Sequence, residues 1–195
     1  MPISAVLAAS VVAAWIFVAL ASGQSLSADQ NSTLLMSHGA VDGTVSDTHE
    51  WWRLITSQWL HTKGQHMLLN VVGILLAGSY LERIQGWKAM LGLYLAGGVL
   101  AQLASVWAYP NLVSSGASQA LLALCGAAVL LPLSERKIGL VWSLVFALIA
   151  VQLWLDLNAV RTIKVGHAVG VSIGLAWGAI LYALRTKRRV LETLR

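Results

Sequence analysis

Charge is what this 195-residue chain has least of. Only 11% of its residues are Asp, Glu, Lys or Arg, against about a quarter in an average soluble domain. With 57% hydrophobic residues and a mean hydropathy of +0.72, a water-soluble globule is excluded and lipid is the expected solvent. A single cysteine, Cys125, excludes an intrachain disulfide; it lies in an apolar run and reads as a small packing residue. The chain lacks the internal repeat from which two-halved transporters are built, and it lacks an extramembrane stretch large enough to fold alone. The net charge of +5 does not argue for nucleic acid, because most basic residues flank apolar runs, where they set orientation.

What is there is a series of six apolar segments, roughly Ile3–Ser22, His66–Leu81, Ala89–Tyr109, Ser118–Leu133, Ile138–Leu155 and Val165–Leu184. In hydrocarbon every backbone polar group needs an internal partner, so each segment must be helical and the fold class is an all-α membrane protein. The second and fourth are short and are expected to start inside the protein. Arg83, Lys88, Arg136, Lys137, Arg185, Lys187, Arg188, Arg189 and Arg195 fall on one side, and Arg53, Lys63, Arg161 and Lys164 on the other. The richer side should face the cytoplasm, with both termini. Small residues at Ala19-Leu20-Ala21 suit a signal-peptide cleavage site, but no basic residue precedes the first run, so retention of that run is expected. One domain over residues 1–195 is expected, with a first outer loop at about 23–65 and a basic cytoplasmic tail at about 185–195. Within that loop, Gly23–Glu50 reads as irregular and Trp51–Thr56 as an amphipathic interfacial stretch.

Two polar residues stand at the starts of apolar runs: Ser118 in Gly116-Ala117-Ser118-Gln119-Ala120 and His167 in Gly166-His167-Ala168-Val169-Gly170. Polar groups at membrane depth are costly and read as functional. A serine and a histidine on the same outer side suit a nucleophile and its base. As base, His167 must be neutral, so activity should fall on acidification. His66 and Asn70 are four apart on one helix face, with His61 in the entering turn. Such hydrogen-bond donors, together with the Ser118 N–H near a helix start, suit a developing oxyanion. Taken singly, a serine placed as Ser118 is usually a helix cap or packing residue, His66 and Asn70 are equally helix-bridging groups, and His38 and His49 read as solvated loop residues. A metal site from His61, His66 and His167 lacks a carboxylate or thiolate at ligand spacing, so neither a metal nor a cofactor is expected. Gly170, Gly174 and Gly178 repeat every four residues and form a stripe on which another helix can press.

These residues resemble the rhomboid intramembrane serine proteases over most of the chain, from about Glu50 to Gly178. Glu50-Trp51-Trp52-Arg53-Leu54-Ile55-Thr56 looks like the family's first-loop motif. His61, His66 and Asn70 match its second-span signature. Leu81-Glu82-Arg83 with Gly86, Tyr94 and Gly97-Gly98 is similar to its next region. Gly116-Ala117-Ser118 matches the nucleophile motif, and His167 with Gly170 and Gly174 the sixth-span motif. The resemblance implies a six-helix bundle with Ser118 as nucleophile, His167 as base and no catalytic aspartate, and none is visible in the six segments. By it, His66, Asn70 and the Ser118 N–H would bind the oxyanion. His61 would be structural, and Trp52 and Arg53 would hold the loop at the membrane surface. Substrates would be transmembrane proteins, and a bacterial inner membrane is expected, with the site opening outward. The sequence departs from the family pattern at Gln119 (usually glycine), Leu122 (often aromatic) and Gly166 (usually alanine). A catalytically inactive protein that binds membrane helices is the alternative, and Gln119 motivates it. A small transporter or channel is disfavoured, because the polar groups cluster near one face.

Overall fold

In the computed structural model, residues 1–131, 138–160 and 164–193 are described. Among them the chain is helix and loop, and the one β-type contact is an isolated bridge between Val41 and Ser114. Helix α1 (Ile3–Ala21) carries no capping side chain of its own. Its first N–H groups, which an α-helix always leaves without internal partners, go instead to Glu82. The Glu82 carboxylate accepts from the backbone of Ile3 (2.8 Å) and Ser4 (2.9 Å) and from the Ser4 hydroxyl (2.7 Å). A negative charge at a helix N-terminus is also favoured by the helix dipole, so the Leu81-Glu82-Arg83 segment fixes where α1 begins.

The stretch expected to be irregular contains two short helices, α2 (Ser32–Ser37) and α3 (Val45–Thr48). The Asn31 side chain accepts from Leu34 N–H at 2.8 Å, a cap that starts α2. Leu35, Ala40 and Leu60 bury themselves against Val18 of α1, so this segment has a small core of its own. Helix α4 (Arg53–Thr56) and a 3₁₀ turn at Ser57–Trp59 follow. Trp51 and Trp52 are exposed while Leu54 is buried.

The second apolar run forms one rod longer than expected. Helix α5 (Gly64–Gly73) passes through a π-helical turn (Ile74–Gly78) into α6 (Ser79–Gln85). After Gly86 come α7 (Trp87–Ala108), α8 (Ser118–Leu130), α9 (Ile138–Val160) and α10 (Val165–Thr193). Among the described residues, four helices are long and apolar enough to cross a membrane: Ile3–Ala21, Gly64–Gln85, Trp87–Ala108 and Val165–Lys187. Ser118–Leu130 and Trp142–Asn158 are shorter apolar helices. Arg136, Lys137, Arg161 and Arg195, which carry part of the expected charge asymmetry, lie outside the described residues, as do the side chains of Arg188 and Arg189.

Helix α8 is apolar around its whole circumference, which suits a helix surrounded by others, and every residue from Ser118 to Ala128 is buried. Its 13 residues span about 20 Å, short of a hydrocarbon core of about 30 Å. Helix α10 lies against it at backbone distance. A Cβ added at Gly170, Gly174 or Gly178 would fall 2.4, 2.1 or 2.9 Å from the carbonyl oxygens of Gln119, Ala123 and Ala127. The four-residue glycine stripe therefore sets the α8–α10 separation, and with it the approach of His167 to Ser118.

Candidate active site

Ser118 opens α8 and His167 lies in the first turn of α10. Both are buried, at 3% exposure each, and the Ser118 hydroxyl is 2.7 Å from His167 Nε2. Gly116 makes the entry to α8 possible. Its φ of +122° lies where side-chain-bearing residues are strained, and its N–H donates to Ser57 O at 2.9 Å. The Ala117 N–H donates to His61 Nε2 at 3.2 Å. Since that nitrogen is an acceptor, the His61 proton sits on Nδ1, 3.3 Å from Trp59 O. Burial, reinforced by the neighbouring His66 and opposed by the Trp59 carbonyl, lowers the His61 pKa from 6.5 to about 3. His61 thus bridges Asn70 of the second rod and the turn that presents the serine.

His66, within the second rod, has different surroundings from His61, which precedes it. His66 borders a cavity of about 380 Å³ that also exposes Ser118, Gln119, His167, Ser105 and Ser114. Its Nε2 is buried without a hydrogen-bond partner among the described residues, so it is free to meet a ligand. The Ser118 N–H, in the first turn of α8, has no intrahelical partner to give up. Asn70 differs from the expectation. It is fully buried, it is not part of the cavity wall, and both its amide hydrogens are engaged, with His66 O at 2.9 Å and His61 Nε2 at 3.2 Å. Its carbonyl accepts from Gln152 at 3.0 Å. The pull from His61 and Gln152 turns the amide into the helix bundle, away from the cavity.

Arg53 secures the outer segment by its donors. Nε meets Glu50 at 2.7 Å, and one terminal nitrogen meets Met36 O at 2.7 Å and Ala40 O at 3.1 Å. The Trp52 ring covers the guanidinium at 4.6 Å. His38, expected to be solvated, is half-buried: Nδ1 lies 2.9 Å from Leu34 O and the ring stands edge-on to Phe17. The two departures at Gln119 and Gly166 prove to be neighbours. A Cβ at Gly166 would fall 2.7 Å from the Gln119 amide and 2.2 Å from the Ser105 hydroxyl. The Gln119 amide takes that space and donates to Ser105 at 3.1 Å and Ser114 at 3.4 Å. Its bulk is turned sideways along the wall.

The sequence reading missed Asp156. The fifth apolar segment ends at Leu155 in the sequence, which leaves Asp156 just outside it. In the structure α9 continues past it, Asp156 is buried, and its carboxylate is 2.6 Å from His167 Nδ1. The signal available was Gln152 and Asp156, two polar residues one turn apart on one face of an apolar run. Both point inward, to Asn70 and to His167.

Fold and site together define an integral membrane protein of packed apolar helices with a buried, hydrogen-bonded serine–histidine pair at a cavity. A family model described as the Rhomboid domain matches residues 48–184, and the chain belongs to the rhomboid family. It is 29% identical over 153 residues to rhomboid protease GluP of Bacillus subtilis, covering 77% of this chain and 30% of that protein. It is also 29% identical over 158 residues to rhomboid protease AarA of Providencia stuartii, covering 80% and 43%. A third relative, inactive RHOMBOID-like protein 8 of Arabidopsis thaliana, is 30% identical over 96 residues, covering 49% of this chain and 27% of its own. The chain spans less than two thirds of the length of these relatives.

Proposed function

We propose that this protein is an intramembrane serine endopeptidase that hydrolyses peptide bonds in or beside transmembrane segments of other proteins. The observation that carries the reading is the 2.7 Å contact between Ser118 Oγ and His167 Nε2, both buried, at a polar cavity. In the first half-reaction Ser118 Oγ attacks the scissile carbonyl carbon, its proton passes to His167 Nε2, and the carbonyl electron pair moves onto oxygen. His66 Nε2, protonated on that atom, and the Ser118 N–H are the donors that stabilise this oxyanion. Asn70 joins them only by turning an amide hydrogen away from His61 or the His66 carbonyl. Collapse breaks the C–N bond, and His167 gives its proton to the departing amine. Water then repeats the sequence on the acyl-serine and restores the hydroxyl.

In this account the six apolar helices are all part of one membrane domain over residues 1–195, with both termini in the cytoplasm and the cavity opening outward from a bacterial inner membrane. The short α8 supports a serine below the membrane surface, reached by water through the polar cavity. A second reading, a client-binding rhomboid-like protein without activity, is favoured by Gln119 filling the wall beside the nucleophile.

The two readings separate in proteoliposomes that hold the protein and a panel of single-span peptides, with products read by mass spectrometry. The proposal expects a cut within or next to the span that disappears in Ser118→Ala and His167→Ala. A loss of about 10³-fold or more is expected for either member of such a unit. Cleavage retained in either variant contradicts the assignment. Binding of peptides by the intact protein and by Ser118→Ala alike, with no cut, favours the second reading.

A further inference from the structure

We infer that Asp156 is the positioning residue of the proposed site, extending the serine–histidine pair to a serine–histidine–aspartate triad held inside the membrane. The inference rests on the protease reading for its kinetic consequence but not for its geometry.

Asp156 is 0% exposed and lies in an apolar helix. A buried carboxylate is tolerated only with charge or hydrogen-bond partners, so its partners show what it is there for. Oδ2 lies 2.6 Å from His167 Nδ1 and 3.1 Å from the Lys164 backbone N–H, and Oδ1 lies 3.5 Å from Lys164 Nζ. A charged acceptor at 2.6 Å from Nδ1 selects the tautomer with the proton on that atom. His167 Nε2 is then left with its lone pair, and that is the nitrogen 2.7 Å from the serine hydroxyl. The carboxylate thus holds the ring in the one tautomer that can accept the serine proton. It also faces the imidazolium that forms once that proton has moved, without taking a proton itself. The position is fixed from three sides: α9 supplies Asp156, the Lys164 N–H anchors the oxygen shared with His167, and the Lys164 ammonium, partly exposed, offsets the charge.

A plainer role would be to tie the start of α10 to α9 through Lys164. That role needs only an acceptor, which an asparagine can supply, and it is indifferent to where the His167 proton sits. The test therefore uses Asp156→Asn in the full-length protein in detergent, with the saturable rate of labelling by a fluorophosphonate (kinact and KI separately). Nitrogen-15 spectra of histidine-labelled native protein are recorded beside it, with the His167 signals assigned by His167→Ala. The expected result is kinact lower by about 10²–10⁴-fold with KI little changed. In the native protein His167 should show a protonated Nδ1 with a far-downfield proton, and this signal should vanish in Asp156→Asn. A folded Asp156→Asn that labels within about threefold of native overturns the inference, and so does a native His167 protonated on Nε2. If Asp156→Asn does not fold, the native tautomer decides alone. If the native protein fails to label at all, the protease reading fails, and the tautomer still decides the positioning role.

Discussion

Lengthening Gly174 by one methyl group tests how the site is assembled. A Cβ at this position would stand 2.1 Å from the Ala123 carbonyl oxygen and 2.9 Å from the Ala127 nitrogen. Both are backbone atoms of the buried α8, so neither can swing aside. To reach ordinary contact α10 must back away by more than about 1 Å, on ordinary carbon–oxygen packing distances. Overpacking of this kind costs about 1–3 kcal/mol. His167 lies on the same rigid helix two turns earlier, so the retreat opens the 2.7 Å contact to Ser118. A misplacement of about 1 Å is worth on the order of 10²-fold in rate. Gly174→Ala should therefore melt at a lower temperature in detergent and label with a fluorophosphonate about a hundredfold more slowly. Gly92→Ala, where a Cβ meets nothing within 4 Å, is the control and should change neither. A Gly174→Ala protein with native melting and native labelling would refute the claim that the glycine stripe sets the site.

Other outcomes follow from the same contacts. Gly166→Ala alone should slow labelling by driving the Gln119 amide or Ser105 out of place, and Gln119→Gly with Gly166→Ala should restore it. A double-mutant cycle should give a coupling of about 0.5–3 kcal/mol, and additive effects would show that the two departures are unrelated. Glu82→Ala should lower the melting temperature through the exposed N–H groups at the start of α1, at about 0.5–2 kcal/mol for a lost cap, while the folded fraction labels at the native rate. His61 is neutral in the fold and takes a proton when unfolded, because its pKa falls from 6.5 to about 3. Its stabilising effect is complete above pH 6.5 and is lost as pH falls toward 3, by up to about 1.4 kcal/mol per unit. Melting curves from pH 7 to 4 should show the decline, and it should be shallower in a folded His61→Gln protein.

The parts of the site that were legible in the sequence are those whose cost shows locally. Ser118 and His167 stand out because a polar group in an apolar run needs a reason, and the Gly170–Gly174–Gly178 period announces a close helix contact. The site partners of these residues were harder to read where they depend on orientation. Asn70 shares a face with His66, yet its amide is drawn inward by His61 and Gln152, which a helix register cannot reveal. Asp156 was lost at a boundary: an acidic residue at the end of an apolar run looks like the water edge until α9 is seen to continue. The helices α2 and α3 were hidden because six- and four-residue helices in a polar segment carry no period of their own; Asn31 as a cap was the available cue. Gln119 and Gly166 each looked like an isolated departure, and only packing shows that one fills the space the other leaves.

The central claim is that Ser118 is activated by His167. The most direct measurement is the labelling rate of the intact protein by a fluorophosphonate in native membranes, beside Ser118→Ala and His167→Ala at matched amounts of folded protein. The account predicts labelling of the intact protein and its loss in both variants. Labelling that survives in His167→Ala, or an intact protein that does not label, would contradict it.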